Sequence, residues 1–253
     1  MQGPGTSRTV KSVQTAIEIV EHLREVGEAG VTELATELDC SKGTVHSHLA
    51  TLLENEYVVR SGDRYGLSLK FLDLGEYVKS RLDIYDVVTE ELDDLAAETG
   101  EVAQFATEEH GRAVYLYKAR GEQAVNTAST VGKHEYIHCL SLGKAMLAHL
   151  PEERVEGIVD RHGLPAQTPN TITDRETLFE ELETIRERGY AVDDEEMIEG
   201  IRCVAAPLTD DGVVGAISIS GPSSRIDGNR FREAPPHKLL RSANVIEINA
   251  KFA

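Results

Sequence analysis

Two apolar stripes of helical spacing lie close together near the start of the chain. The first repeats at i, i+3, i+4 and i+7 from Val31, and the second at i, i+4, i+7 and i+8 from Val45. Each stripe is typical of one buried helix face. Asp39 and Cys40 separate the stripes, and Ser41 is a favourable N-cap residue for the second helix. The pattern predicts two short helices joined by a tight turn, a helix-turn-helix, whose second helix enters the DNA major groove.

The segments on either side predict a winged helix. A preceding helix is predicted over residues 11–26, and its buried face is expected to hold Ile17, Val20 and Leu23. After the helix-turn-helix, two short β-type runs at 57–60 and 64–67 flank a Ser-Gly-Asp turn, which is typical of a hairpin. A hairpin placed directly after the second helix forms the wing of such a domain.

A further helix is predicted over residues 69–81. Phe71, Leu74 and Val78 form a narrow apolar stripe on it, with Tyr77 beside them. Such a stripe on a linking helix often packs against its twin in a dimer. The alternative is that the helix covers the winged helix of its own chain, because periodicity alone does not identify a partner.

Beyond residue 83 strand-like and helical runs follow one another without a regular β-α-β order. Strands are predicted at 102–107, 113–117, 202–208 and 213–219, with one helix ending near Gly100 and others at about 141–150, 152–161, 174–188 and 236–251. This order favours an α+β domain around an antiparallel sheet. We therefore predict a winged helix-turn-helix domain at 1–68, a linker helix at 69–82 and a second domain at 83–253.

Charge is distributed unevenly along the chain. The net charge is −18, and residues 1–81 carry 9 basic and 12 acidic side chains, whereas the remainder carries 17 and 32. The N-terminal part is thus nearly neutral, and the remainder repels nucleic acid. Abundant carboxylates, with Lys less frequent than Arg, favour a halophilic archaeon, in whose very salty cytoplasm an acidic surface stays hydrated. An ordinary acidic bacterial protein is the alternative.

The cysteines and the apolar runs bear on location. Cys40, Cys139 and Cys203 cannot all pair, which fits a reducing cytosol better than a disulfide framework. The first residues contain no apolar leader, and no run approaches the ~18 apolar residues that a membrane span needs. We expect a soluble, cytoplasmic protein that does not contact a membrane.

Residue types that could bind a metal or catalyse a reaction form only weak clusters. His134, His138 and Cys139 are close in sequence, but zinc sites show two tight ligand pairs, and a thiol nucleophile needs an orienting third group. The carboxylate run 193–196 resembles an acid/base cluster, and there is no Gly-rich phosphate-binding loop. We expect no metal, no cofactor and no catalytic residue.

Several short motifs occur in a fixed order along nearly the whole chain. They are Tyr65-Gly66-Leu67, Leu72-Asp73-Leu74-Gly75, Glu98-Thr99-Gly100-Glu101, the run 138–145 with its Gly-Lys-Ala, and the blocks 188–207 and 214–222. In this order they resemble the IclR family of prokaryotic transcription regulators. The resemblance implies a GAF-like effector-binding domain, a homodimer or dimer of dimers, and ligand-controlled binding to double-stranded promoter DNA.

The exposed face of the second helix is the predicted DNA-contacting surface. Small and hydroxyl side chains there allow close approach to bases, and Lys42 can reach a phosphate. Arg60 and Arg64 of the wing suit a minor-groove or backbone contact, although ordinary surface charge is the alternative. Many IclR members place an arginine where this chain has Ser47, so their base contacts do not transfer. The predicted set is Thr32, Ser41, Lys42, Gly43, Thr44, His46, Ser47, His48, Arg60 and Arg64.

The second domain holds the predicted effector site. Ser141 begins a helix, and the free N–H groups at a helix start bind anions. Ser218 and Ser220 alternate in an apolar strand and therefore share one face, where they fit a polar ligand or bond to neighbouring backbone. With the positions that the resemblance adds, the implied set is Ser141, Leu142, Asp193, Ile201, Cys203, Ser218 and Ser220.

These features favour a ligand-responsive, non-enzymatic DNA-binding regulator of catabolic genes. Its effector is expected to be a small polar metabolite such as an organic acid, a sugar or a sugar acid. Two other hypotheses remain open from sequence. One is a metabolite-binding enzyme with an attached winged helix, and the other is a winged helix that binds another protein.

Overall fold

The computed structural model describes residues 9–126, 129–209, 212–226 and 230–251. The chain divides into two compact units, the first ending at Arg81 and the second beginning at Leu82. The linker helix therefore groups with the winged helix. No helix in the described ranges has the length and apolar character needed to cross a membrane.

The first unit is a winged helix. Its elements are α1 (Lys11–Val26), β1 (Glu28–Gly30), α2 (Val31–Glu37), α3 (Lys42–Glu54), β2 (Val58–Ser61), β3 (Arg64–Leu67) and α4 (Lys70–Lys79). The helix-turn-helix and the hairpin are thus confirmed. The strand β1 was not predicted, because three residues are too short to show alternation. It pairs antiparallel with β3, opposite β2, so the wing sits in a three-stranded sheet.

The buried face of α1 differs from the predicted one. Thr15, Ile19 and Leu23 are buried, whereas Ile17 is 51% exposed and Val20 is half-buried. The three buried residues are spaced by four, and the Thr15 hydroxyl donates to the carbonyl oxygen of Lys11 at 3.1 Å. A threonine whose hydroxyl is satisfied within its own helix can occupy a core position. The observed buried face is therefore rotated by part of a turn from the predicted one.

The second unit is an α+β domain, as predicted. Its helices are α5 (Tyr85–Thr99), α6 (Ser141–Leu147), α7 (Glu152–His162), α8 (Arg175–Arg188) and α9 (Arg230–Ala250), and its strands are β4 (Val102–Glu109), β5 (Arg112–Arg120), β6 (His134–Tyr136), β7 (Ala191–Asp194), β8 (Ile201–Thr209) and β9 (Val213–Pro222). The strands form one antiparallel sheet in the order β6-β5-β4-β9-β8-β7. The two short outer strands, β6 and β7, were not predicted from the sequence.

Alternation along the strands separates two apolar layers. Phe105, Val204 and Ile217 pack with α5 and α9 on one face. Alanines of the same strands pack on the other face with α6, α7 and α8. Small residues on that face let α6 lie close to β8 and β9.

Gly143 fixes the start of α6. A Cβ at this position would collide with the carbonyl group of Ile137, which belongs to the short 3-10 helix Ile137–Cys139. Only glycine allows this approach. The next residue of the Gly-Lys-Ala motif, Lys144, is buried.

Candidate DNA-contacting surface and effector cavity

The start of α3 is stabilised by its own side chains. Ser41 lies at the N-cap, and its Oγ accepts a hydrogen bond from the backbone N–H of Thr44 at 3.0 Å. The two hydroxyl groups are also 2.8 Å apart. This cap satisfies one of the unpaired amides of the first turn, which explains why the helix begins at Lys42.

The predicted DNA-contacting residues lie on accessible surface. Val45 and Leu49 are fully buried and hold α3 in the core. His48 is half-buried, and the exposed members of the set are Thr32, Ser41, Lys42, Gly43, Thr44, His46, Ser47, Arg60 and Arg64. Apart from His48, the predicted face of α3 is thus exposed among the described residues, as a helix that enters a groove requires.

His48 has a role within the protein that the sequence did not suggest. Its Nδ1 lies 2.8 Å from the carbonyl oxygen of Thr44, and its Nε2 lies 3.1 Å from that of Ser12. A ring nitrogen that carries a proton can donate to a carbonyl oxygen. The second contact links α3 to α1.

The two wing arginines differ in their engagement. Arg64 donates to Glu33 Oε1 at 3.0 Å and to the carbonyl oxygen of Glu28 at 2.6 Å. The backbone N–H of Gly30, and secondarily Arg64, lower the pKa of Glu33. Arg60 donates to the carbonyl oxygen of Gly62 in its own turn at 2.8 Å. Arg64 thus ties the wing to α2, whereas Arg60 stays at the tip.

The linker helix α4 contacts the winged helix through Lys70, whose Nζ donates to the carbonyl oxygen of Asn55 at 2.9 Å, and through Phe71. Phe71 packs edge-on against Tyr57, with ring centroids 5.5 Å apart. The rest of its apolar surface is exposed in this chain: Leu69, Leu72, Leu74, Tyr77 and Val78. Phe71 thus covers its own domain, whereas the pairing of the exposed residues with a second copy of the chain stays a prediction.

A cavity of about 190 Å³ lies on the α6 face of the large sheet. Its floor is a row of three neighbouring residues across β7, β8 and β9, because Asp193 is paired with Cys203 and Cys203 with Ser220. Ile201 also lines the cavity. The polar lining residues that the sequence analysis missed are Gln104, Tyr115, Ser129, Lys133 and Glu135, and the apolar ones are Leu140, Met197 and Ile198.

Three predicted effector residues do not line this cavity. Ser218 lies in the next row, between Ala205 of β8 and Gln104 of β4. Ser141, Leu142 and Ser218 are at most 2% exposed, because α6 lies over the middle of β8 and β9. Ser218 and Ser220 lie on the same face of the strand, as expected, but only Ser220 lines the cavity.

Asp193 is the buried acid of the cavity floor. It is 2% exposed, and its Oδ1 accepts a hydrogen bond from the backbone N–H of Glu196 at 2.7 Å. Burial, followed by the charge of Glu196, raises the pKa of Asp193 to about 7, although Lys144 and the backbone hydrogen bonds oppose this rise. A group with such a pKa changes its protonation at physiological pH.

Lys144 and Glu196 form an ion pair in the interior. Lys144 of α6 is 1% exposed, and its Nζ donates to Glu196 Oε1. Burial raises the pKa of Glu196, and Lys144 opposes that shift. The Oε2 atom of Glu196 has no hydrogen-bond partner in the described part of the chain. The signal for this pair was present in the sequence, since Lys144 is the one ammonium group within an apolar helix.

Two threonines hold the turn that carries Glu196. The Thr168 hydroxyl donates to the carbonyl oxygen of Glu195 at 2.7 Å, and the Thr171 hydroxyl to that of Glu196 at 2.6 Å. Glu195 has a φ of 62°, a conformation that is unusual for a residue with a side chain. The threonine contacts offset this strain and fix Asp193 and Glu196 relative to each other.

Two thiols and a phenol near the cavity are weak acids. Burial raises the pKa of Cys139 to about 12, and it raises those of Cys203 and Tyr115 as well. Their thiol and phenol groups are therefore protonated at neutral pH. Cys203 is thus an inert hydrogen-bonding thiol and not a nucleophile.

The weak histidine and cysteine cluster is not assembled as a metal site. His138 lies 3.2 Å from the carbonyl oxygen of Pro165 through its Nε2, and Cys139 contacts the sulfur of Met197. Among the described residues no group of three His, Cys, Asp or Glu side chains could hold a metal ion.

Comparison with known proteins identifies the family. The description "Bacterial transcriptional regulator IclR C-terminal" matches residues 76–247, and the IclR helix-turn-helix domain matches residues 12–62. The chain belongs to the IclR family. It is a DNA-binding transcription regulator that responds to a small molecule. The family and its relatives are transcription regulators and not enzymes, so the enzyme hypothesis is not supported.

Individual IclR relatives cover nearly the whole chain. The probable HTH-type transcriptional regulator ArcR of Halobacterium salinarum is 35% identical, over 98% of this chain and 97% of its own length. The crystal structure of Thermotoga maritima IclR is 32% identical, with a TM-score of 0.79, over 95% of this chain and 98% of that one. An IclR homologue of Microbacterium hydrocarbonoxydans, complexed with 4-hydroxybenzoate, has a TM-score of 0.82 at 19% identity and covers 96% of this chain and 100% of that one. That likeness concerns the fold.

Proposed function

We propose that this IclR regulator binds its operator through the start of α3 and the wing, and that a small polar metabolite in the Asp193–Cys203–Ser220 cavity controls this binding. The observation that carries the proposal is the cross-strand row of three polar side chains on the floor of a partly open cavity. Ligand sites are concave, with a few convergent polar groups. The regulated genes are proposed to be catabolic and the location cytoplasmic.

Binding to DNA is assigned to residues that the protein leaves exposed. Lys42, Thr44, His46 and Ser47 lie on the exposed face of α3, and Arg60 lies at the wing tip. Thr32, Ser41, Gly43, His48 and Arg64 complete the proposed set, with cap or packing roles for Ser41, His48 and Arg64 as well. Phosphate contacts set the register of a protein on DNA, and base contacts supply specificity.

A homodimer is proposed from the open apolar face of α4. Leu72 and Val78 are each 61% exposed and Tyr77 is 64% exposed, and paired half-sites require paired winged helices. A dimer of dimers is compatible with the same contact. A ligand that favours one dimer arrangement would change operator affinity through that preference.

The experiment that tests this function is genomic selection of DNA fragments by the purified full-length chain, followed by footprinting. We expect one protected operator of two related half-sites upstream of catabolic genes. Protection without sequence preference would refute operator recognition. Binding of a second protein in place of DNA would favour the interaction-module hypothesis.

A further inference from the structure

The ion pairs around the cavity do not include Asp193, and the nearby Lys118 donates to the carbonyl oxygen of the lining residue Ser129 at 2.8 Å. Asp193 and Glu196 provide two carboxyl groups, while Lys144 provides one ammonium group that is already paired with Glu196. At the cavity wall Lys133 is paired with Glu135 at 2.6 Å. Asp193 is therefore the one lining carboxyl without a cationic partner of its own among the described residues.

The groups that face Asp193 come from every neighbouring element. They are Tyr115 of β5, Glu135 of β6, Cys139 after β6, Lys144 of α6, Glu196 of the following turn and Cys203 of β8. Tyr115 and the two thiols retain their protons at neutral pH and can donate hydrogen bonds. The wall thus supplies several donors, and of its two carboxyl groups only Asp193 lacks a lysine partner among the described residues.

A carboxylate ligand changes this situation. Two like charges close together in a poorly solvated cavity cannot both remain ionised at low cost. If Asp193 binds a proton from solvent, its carboxyl becomes a donor to the ligand carboxylate, and the whole floor then presents donors. One proton is taken up for each ligand bound, and no covalent bond forms or breaks.

We propose that the cavity binds the carboxylate of a small hydroxy acid together with one proton, which is held on Asp193. This inference rests on the proposed function, because it takes the cavity as the effector site. An uncharged polyhydroxyl ligand would bind without proton uptake, since its hydroxyl can donate to ionised Asp193. Asp193 thus links the binding of an acid to pH, and the number of protons taken up distinguishes an acid from an uncharged ligand.

The test is isothermal titration calorimetry of the full-length chain with matched acids and alcohols. The pairs are glycerate with glycerol, threonate with threitol, and gluconate with glucitol. Titrations at pH 8 in two buffers of different ionisation enthalpy give the number of protons taken up. We expect at least one acid to bind with uptake of about one proton and to weaken roughly tenfold per pH unit above pH 7.

Substitutions identify the group that takes up the proton. Asp193→Asn keeps the acceptor for the Glu196 amide and should bind the same acid with no proton uptake and a flat pH dependence. Asp194→Asn is the matched control, because Asp194 is the next residue of β7, is exposed and pairs with Arg202. It should retain the wild-type proton count.

Several outcomes would overturn the inference. They are acid binding by the wild type at pH 8 without proton uptake, unchanged proton uptake in Asp193→Asn, and absence of binding by every acid in the set. Operator selection does not require ligand, so retained operator binding in any of these cases leaves the DNA-binding part of the proposed function intact. Loss of operator recognition with normal acid binding would refute only the DNA-binding part of the proposed function.

Discussion

Lys144 and Glu196 lie 52 positions apart in the sequence and form an ion pair in the interior of the second unit. The pair joins α6, which lies on the sheet, to the turn after β7, which forms part of the cavity. It places a positive charge near Asp193 without placing it in the cavity lining. The electrostatics of the proposed effector site thus depend on a residue that does not line the cavity.

The first prediction concerns this pair. Lys144→Met should lower the free energy of unfolding by roughly 3–5 kcal/mol, because it leaves the buried Glu196 carboxylate without its partner. The double variant Lys144→Met/Glu196→Gln should recover most of that loss. Lys133→Met is the control, since this lysine belongs to a partly exposed pair, and should cost less than about 1 kcal/mol. Urea unfolding of all four proteins gives the comparison, and equal losses in Lys144→Met and Lys133→Met would contradict the burial argument.

The second prediction concerns pH and stability. Since the pKa of Asp193 is raised from 3.8 to about 7 in the folded chain, the folded state binds a proton that the unfolded state has released. The stability from this group is complete below about pH 4 and is lost as the pH rises to about 7. Relative to wild type, Asp193→Asn should therefore gain on the order of 2 kcal/mol between pH 5 and pH 8. Urea titrations at both pH values measure this gain, and a constant difference would show that Asp193 titrates normally.

The third prediction concerns operator binding. Lys42→Ala and Thr44→Ala should each weaken specific binding by ~1–3 kcal/mol, which corresponds to the loss of one phosphate or base contact. Both side chains are exposed, and the Ser41 cap keeps its hydrogen bond from the Thr44 backbone N–H, so the melting temperature should fall only slightly, through the loss of the exposed hydroxyl contact in Thr44→Ala. Lys238→Ala removes the same charge from the second unit, where Lys238 pairs with Glu98, and serves as the control. If both α3 variants bind the operator with wild-type affinity in anisotropy titrations, DNA contact by α3 is excluded.

The fourth prediction concerns salt. The remainder of the chain after residue 81 carries 17 basic and 32 acidic side chains, and 1 M salt reduces the screening length to about 3 Å. We expect the melting temperature to rise from about 0.1 M to molar KCl. Sucrose at matched osmolality is the control for general solvent exclusion. A melting temperature that stays constant or falls with KCl would contradict adaptation to a salty cytoplasm.

Local signals were sufficient to predict most helices. Ser41 and Asp174 cap α3 and α8 through the amides of Thr44 and Thr177, and Gly100 ends α5 in the left-handed conformation. Each of these signals lies within four residues of the boundary that it sets. For the same reason the bounds of α1 were predicted correctly, although its buried face was not predicted correctly.

The effector cavity could be predicted only in part. Asp193, Cys203 and Ser220 become neighbours through the register of three strands, one of which is four residues long. Residue spacing contains no information on that register, so Ser218 and Ser220 were treated alike. Four residues implied by the family resemblance do line the cavity. The pairing of Lys144 with Glu196 was not predicted, because it depends on how α6 packs against the turn at Glu196.

The measurement that tests the account most directly is the response of operator binding to ligand. Fluorescence anisotropy of the selected operator should be recorded for wild type, Ser220→Ala and Asp194→Asn, at pH 7, with and without the acid that binds by calorimetry. We predict that the acid shifts the operator Kd of the wild type and of Asp194→Asn at least fivefold, the lower end of typical coupling energies, and that Ser220→Ala binds the operator normally without a response. An undiminished response in Ser220→Ala would contradict the placement of the effector on the Asp193–Cys203–Ser220 row.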